Sequence, residues 1–172
     1  EEFGPDEPDI AFYAGYPCTR AALRRRLVRD AVGISGWKNL TPLFRGLRNP
    51  ATRRVAGSIL GTQVVLWAGS WLVTGRWYVW PLLWFLPWMT GWRVVNRLRS
   101  IAEHGGLGAS SDRRQTTHVV RQSWLARFWL VPYHTGWHLA HHVDMGVPWR
   151  NLPRFHAELE QAPHLVLGVH GE

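Results

Sequence analysis

The chain has 172 residues, which is enough for one domain with a buried core. Its formal net charge of +8, carried almost wholly by arginine, indicates an anionic partner such as nucleic acid or a membrane surface. The single cysteine, Cys18, excludes an internal disulfide framework and the paired thiolates of a zinc finger. Twelve tryptophans exceed ordinary usage, so their positions must decide between these partners.

Residues 1–54 are predicted to form a cytosolic linker and a basic amphipathic helix. Residues 1–19 are acidic and rich in Pro and Gly, which is typical of an irregular surface segment. The stretch RAALRRRLVRDAVG then places arginines beside Leu23, Leu27 and Val28. This pattern predicts a helix whose basic face is either simply solvated or lies at lipid headgroups. A looser stretch through Trp37 and Pro42 follows.

Two apolar segments predict a transmembrane hairpin. Residues 55–74 contain no charge, and at about 1.5 Å per residue they reach roughly the thickness of a bilayer core. After the Gly75-Arg76 turn, residues 77–95 are long enough to return, and the prolines at 81 and 87 are tolerated in membrane helices. Tryptophans lie toward the two ends of this second segment, as interfacial belts do. The alternative is a buried hairpin inside a soluble all-α protein.

The flanking charges predict the orientation of the hairpin. Ten Arg and Lys residues lie between Arg20 and Arg54, and Arg93, Arg97 and Arg99 follow the second segment. Only Arg76 lies in the connecting turn. Positive residues favour the cytoplasmic side, so we expect an integral membrane protein with both termini in the cytoplasm. Residues 96–172 hold every histidine, and are expected to form a cytosolic cap.

Histidines are crowded into the stretch YHTGWHLAHH, residues 133–142. His138, His141 and His142 have i, i+3 and i+4 spacing, which places them on one face of a helix. His134 extends that face by another i, i+4 step. The H-E-x-x-H pattern of zinc proteases is absent, and imidazole-rich sites also suit iron and copper. The pattern therefore predicts a metal site, with Asp144 as the only carboxylate close by.

A second element, NRLRSIAEHGG, follows the hairpin and carries Glu103 and His104. If the second membrane helix continues past Arg93, His104 lies about three turns beyond it. A lone histidine is usually structural, but the nearby histidine cluster favours His104 as a further ligand.

The order of these elements resembles the membrane fatty acid desaturases, within the wider desaturase and hydroxylase superfamily of histidine-box proteins. HLAHHVDMGVPWRNLPRFHAEL is similar to the family's third histidine box with its V-P-x-x-N-L-P-x-x-H continuation. GPDEPDIAFY resembles the linker that follows the second box. The resemblance implies an all-α fold, in which a helical cytosolic cap lies over a four-helix membrane stem, of which residues 55–95 supply half.

The resemblance also implies two iron ions, O₂ activation and the removal of two hydrogens from an acyl chain. Carried over by position, His138, His141 and His142 match the third box, and His104 matches the histidine after the second hairpin. Some relatives have a water-linked Asn one turn before that histidine, where this chain has Ser100. Glu103 or Asn96 is a possible substitute. Together with His134 and Asp144, these residues are assigned to orient the metal ligands.

The first two histidine boxes of the family are absent, since no histidine precedes residue 104. Because residue 1 is Glu, we expect a C-terminal fragment whose remaining iron ligands lie upstream, and which is inactive alone. The implied partners are the bilayer, an acyl lipid or acyl-CoA, O₂ and a ferredoxin or cytochrome b5 type electron donor, with no nucleic acid. The arginines of residues 20–54 either dock an acidic partner or reflect plain membrane topology.

The sequence leaves two other functions open. A hydroxylase or ketolase of the same superfamily would act on a sterol, carotenoid or sphingoid base. A non-catalytic basic protein that binds membrane or RNA would need none of the histidines.

Overall fold

The computed structural model describes residues 13–108, 116–120 and 123–161, which form helices and loops without any strand. This confirms the predicted all-α class. The chain divides into two compact units. Arg20–Val94 is called the hairpin unit, and Glu1–Thr19 with Val95–Glu172 is called the histidine unit. The division after Val94 falls near the predicted end of the second membrane segment. Residues 13–19 group with the C-terminal half rather than with residues 20–54, and the rest of the predicted linker lies outside the described residues.

Two helices open the hairpin unit. Helix α1, Arg20–Ala31, is the predicted basic helix. Helix α2, Ile34–Gly46, replaces the looser stretch that was predicted through Pro42. The apolar residues of this stretch have helical spacing, and Leu40 among them is buried. The stabilisation from this packing outweighs the unfavourable effect of Pro42 on the helix. Between the helices, Gly33 has a φ of 82°, a conformation that favours glycine and turns the chain.

A glycine allows α2 to approach the second half of the hairpin unit closely. A Cβ atom added at Gly36 would lie 2.5 Å from the carbonyl oxygen of Met89 and 2.9 Å from its Cα. Both of these atoms belong to the backbone, so they cannot rotate away. The absence of a side chain at residue 36 therefore fixes how closely these two segments pack.

Helix α3, Arg53–Thr74, covers the first predicted membrane segment. Among the described residues it is the one helix long and apolar enough to cross a membrane. Its outer face is apolar, since Leu72 is 86% exposed and Val73 is 87% exposed. The helix ends at Gly75, whose N–H donates to the carbonyl of Trp71 from a left-handed conformation.

The second predicted segment, 77–95, is not one regular helix. A π-helical turn, Pro81–Phe85, leads into the short helix α4, Leu86–Met89. Thr90 then departs from helical geometry, and helix α5 runs over Gly91–His104. Prolines lack a backbone N–H, which widens and interrupts the helical ladder here. Tryptophans link this segment to α3: the indole N–H of Trp84 donates to Gln63, and that of Trp67 donates to the carbonyl of Trp77. A second membrane span stays a prediction.

The histidine unit contains the end of α5 and short helices connected by loops. These are α6 (Trp124–Trp129), a 3₁₀ turn (Pro132–His134), α7 (His138–Val143), a second 3₁₀ turn (Trp149–Asn151) and α8 (Leu152–Gln161). Ala140, Leu152 and Leu159 form a small core between α7 and α8. Since α7 has only six residues, this packing, rather than intrinsic helix propensity, must hold it in place.

Candidate metal centre

Three imidazoles from two distant parts of the histidine unit converge on one point. His104 ends α5, whereas His138 and His142 lie one turn apart on α7. The Nε2 atom of His138 lies 2.9 Å from Nε2 of His104 and 3.1 Å from Nε2 of His142. One ligand atom from each residue lies within 4.8 Å of the others. His104 and His138 are buried, so this arrangement is part of the protein interior.

A main-chain carbonyl fixes the tautomer of His104. Its Nδ1 atom lies 3.0 Å from the carbonyl oxygen of Thr116. A carbonyl oxygen only accepts, so Nδ1–H donates and Nε2 keeps its lone pair. The ring of Tyr13, which is 2% exposed, covers His104 with centroids 4.9 Å apart. These contacts direct the lone pair of Nε2 toward α7.

A buried carboxylate faces His138 on its other side. Glu103 is 2% exposed, and its Oε1 lies 3.7 Å from Nδ1 of His138. Arg99 holds the carboxylate in place, since its Nε lies 2.9 Å and 3.0 Å from the two oxygens. This separation is longer than a hydrogen bond, and Nδ1 of His138 is buried without a hydrogen-bond partner. The charge of a carboxylate near a metal-ligating histidine can still favour one ring orientation and raise the basicity of the ring.

The environment keeps His138 neutral. Burial is the largest cause that lowers the pKa of His138 to about 2, and the charges of the neighbouring histidines and of Arg99 lower it further. A neutral imidazole has a lone pair available for a metal, whereas imidazolium does not. His138 is therefore available as a ligand over the whole physiological pH range.

The donor set fits a metal ion. His138 Nε2 faces two other Nε2 atoms, and a single hydrogen on it cannot satisfy both neighbours. Imidazole nitrogens about 2.1 Å from a metal and at right angles to one another would be about 3 Å apart, which is close to the distances of 2.9 Å and 3.1 Å from Nε2 of His138 to those of His104 and His142. Three imidazole nitrogen donors suit iron, copper or zinc.

His141 lies beside this group without joining it. Its ring centroid is 6.0 Å from that of His138 and 5.8 Å from that of His142. The i, i+3, i+4 spacing predicts one shared point for the three α7 histidines. The structure brings two of them together with His104 and leaves His141 at the edge.

The helix does not extend back to His134, contrary to the predicted i, i+4 continuation. Tyr133 and His134 have φ values of 57° and 60°, which lie in the left-handed region and end regular helix. The ring of His134 stacks on Trp149 instead, with centroids 5.7 Å apart. Its Nδ1 is buried without a hydrogen-bond partner. No described contact places it beside a metal ligand.

Asp144 and Asn96 are also not brought to the site. Asp144 is the C-cap of α7, and its Oδ1 accepts the N–H of Gly146. The carboxylate of Asp144 is therefore used in a local turn, and no described contact joins it to a histidine of the cluster. Asn96 precedes His104 by eight residues on α5, which is about 12 Å along the helix axis. Ser100, one turn before His104, is buried.

Two contacts of His104 could not be read from the sequence. The carbonyl of Thr116 carries no side-chain signal, so no pattern of residue types reveals it. Tyr13 lies 91 positions from His104 in a segment that reads as irregular, and only an aromatic-rich stretch around it is visible in the sequence.

Residues 2–170 match the fatty acid desaturase family, and the chain belongs to that family. The family is one of fatty acid oxidoreductases of the desaturase and hydroxylase type that are associated with membranes. The predicted family resemblance is thereby confirmed. Neither the search of curated proteins nor that of solved structures gave a match.

Proposed function

We propose that the chain forms part of an O₂-dependent di-iron fatty acid desaturase. His104, His138 and His142 would hold one iron ion, and His141 would contribute to a second. Bound iron would supply the oxidising power that an unactivated methylene requires. The observation that carries the proposal is the convergence of three Nε2 atoms in a protein of this family. Nε2 of His138 lies 2.9 Å from that of His104 and 3.1 Å from that of His142.

The substrate would be an acyl chain of a lipid or an acyl thioester. Desaturation combines –CH₂–CH₂–, O₂, two electrons and two protons to give –CH=CH– and two waters. The electrons require an external donor, for which a small ferredoxin or cytochrome b5 type protein has the right chemistry. The role of the histidine unit would be to hold the imidazoles in fixed directions, with the carbonyl of Thr116 bonded to His104 and the carboxylate of Glu103 3.7 Å from His138.

The protein would be integral to a membrane, with the histidine unit on the cytoplasmic side. Support comes from the length and the exposed apolar surface of α3 and from the arginines that flank the hairpin. The positive-inside bias then assigns both flanks to the cytoplasm. The remaining iron ligands would be histidines that lie outside residues 1–172.

The test is iron content and product analysis of the full-length protein, purified with iron and supplied with a reductant system and acyl lipids. Wild type should contain iron and form products that lack two hydrogens, as measured by mass spectrometry. His138→Ala and His142→Ala should lose iron and activity. Arg154→Ala is the control, because the side chain of Arg154 is 87% exposed on α8 and lies outside the cluster.

Two results would change the proposal. Products that gain an oxygen atom would identify a hydroxylase instead. An active wild-type protein that contains no transition metal, with His138→Ala equally active, would exclude the di-iron chemistry.

A further inference from the structure

A histidine outside the metal cluster occupies the buried face of α8. Leu152, His156 and Leu159 are the buried residues of this helix, and their spacing places them on one side. Both leucines belong to the core against α7. His156 is 5% exposed, so its imidazole lies in the same apolar layer.

The burial of His156 lowers the stability of the folded protein. Its Nδ1 is buried without a hydrogen-bond partner, and the indole Nε1 of the adjoining Trp137 is buried in the same way. Burying an unsatisfied polar atom costs free energy that a leucine at this position would not cost. An arrangement that gives up stability in this way indicates a functional constraint.

His156 is connected to the histidine cluster through one residue, Trp137. Its ring packs against Trp137 with centroids 4.6 Å apart and planes inclined by 36°. Its Nε2 lies 3.2 Å from Oε1 of Glu160, one turn further along α8. Trp137 is the N-cap of α7, directly precedes His138, and accepts the N–H of His141 through its carbonyl.

We propose that His156, anchored by Glu160, is a positioning residue that sets the direction of His138 through Trp137. The carboxylate of Glu160, whose side chain is 70% exposed, favours one rotation of the imidazole, and the imidazole packs against the indole at the start of α7. Since α7 has only six residues and no side-chain N-cap, the placement of Trp137 determines where His138 points. The inference rests on the proposed function, because it assigns His138 a metal.

The experiment is Co²⁺ binding to the full-length protein after removal of iron, because the visible absorption of Co²⁺ reports ligand geometry. His156→Ala should reduce Co²⁺ affinity by about tenfold, the lower end for residues that support metal ligands. His156→Phe keeps a ring against Trp137 but removes the link to Glu160. We expect it to restore thermal stability without restoring the wild-type Co²⁺ spectrum.

Two matched controls separate positioning from packing. Leu159→Ala truncates a buried residue of the same core that holds α7, and should lower stability with a smaller change of the Co²⁺ spectrum than His156→Ala gives. Glu160→Ala should shift the spectrum in the direction of His156→Phe. Glu158→Ala, which removes an exposed carboxylate from the pair with Arg154 on the same helix, should not.

The positioning role is overturned if His156→Phe gives the wild-type spectrum and affinity, or if Leu159→Ala alters both as much as His156→Ala. These outcomes leave the proposed function intact as long as His138→Ala abolishes Co²⁺ binding. A wild-type protein that binds neither iron nor Co²⁺ would refute both proposals together.

Discussion

The two units of the chain distribute polar and apolar groups in opposite ways. In the hairpin unit, the exposed surface of α3 is apolar over most of its length, and little of the helix is buried. In the histidine unit, the most buried residues include Glu103, Thr116 and two of the clustered histidines. Lipid tolerates the first arrangement, since apolar side chains there lose nothing by exposure. The second arrangement costs free energy, and the metal ion proposed above would offset that cost.

Two ion pairs of the histidine unit show how burial changes the value of the same contact. Arg99 with Glu103 and Arg154 with Glu158 have the same spacing of four residues, with N–O distances of 2.9 Å and 3.0 Å. The side chain of Glu103 is 3% exposed, whereas that of Glu158 is 58% exposed. Only the buried carboxylate faces a histidine of the cluster.

The largest expected effect is a difference in iron affinity between variants of Glu103 and Glu158. Glu103→Gln should lower the iron affinity of the full-length protein by about 10- to 100-fold, because it removes the negative charge behind His138. Glu158→Gln should leave iron affinity unchanged, and as an exposed pair its loss should cost about 0–1 kcal/mol. Iron retained during titration with a chelator measures both. Equal retention by the two variants would contradict the orienting role of Glu103.

The next effect tests packing in the hairpin unit. Gly36→Ala should destabilise the protein by about 1–3 kcal/mol, because the new methyl group meets the backbone of Met89. Gly61→Ala is the control, since a Cβ there meets no atom within 4 Å, and it should be neutral or slightly stabilising. Thermal unfolding in detergent, followed by tryptophan fluorescence, compares them. A Gly36→Ala variant as stable as Gly61→Ala would show that the two segments are not closely packed.

Acid should destabilise the iron-free histidine unit. The pKa of His138 is lowered to about 2 in the folded state, against about 6.5 in the unfolded chain. Between these values the unfolded state binds more protons, so stability falls as pH drops below about 6.5, by at most about 1.4 kcal/mol per pH unit from this residue. Urea unfolding at several pH values measures the slope. His138→Gln should show a shallower slope, and an unchanged slope would contradict the burial of His138 as a neutral group.

The smallest effect concerns a polar contact of the hairpin unit. Gln63→Leu removes the oxygen that accepts the N–H of Trp84 at 3.2 Å. Such contacts in membrane proteins contribute about 0.6 kcal/mol on average. A double-mutant cycle with Trp84→Phe, read from unfolding in detergent, isolates the interaction. A coupling energy of zero would show that the two side chains do not interact in the folded protein.

The sequence predicts best where a repeating pattern carries the information. The arginine-rich stretch predicts α1, the apolar run predicts α3, and the H-x-x-H-H spacing predicts the short helix α7. The family assignment follows from the same third-box residues and is confirmed over residues 2–170. In each case neighbouring residues along the chain are enough to decide the structure.

Features that depend on distant contacts were not predicted. Helix α2 forms despite Pro42, because its apolar face, with Leu40 buried, packs within the hairpin unit. The break at Thr90 divides a segment that looks continuous in hydropathy. The left-handed backbone of His134 removes it from the face of α7, although its spacing fits a helix. Which histidines converge depends on the placement of α5 against α7, and residue spacing does not determine that placement.

His104 and His138 differ in how freely the groups beside them can vary in evolution. The oxygen that fixes His104 belongs to the main chain at residue 116, so it persists whichever side chain of similar volume stands there. The oxygen that faces His138 belongs to the side chain of Glu103, and most replacements delete it. Natural relatives should therefore drift in residue type at 116 while retaining an acid at 103.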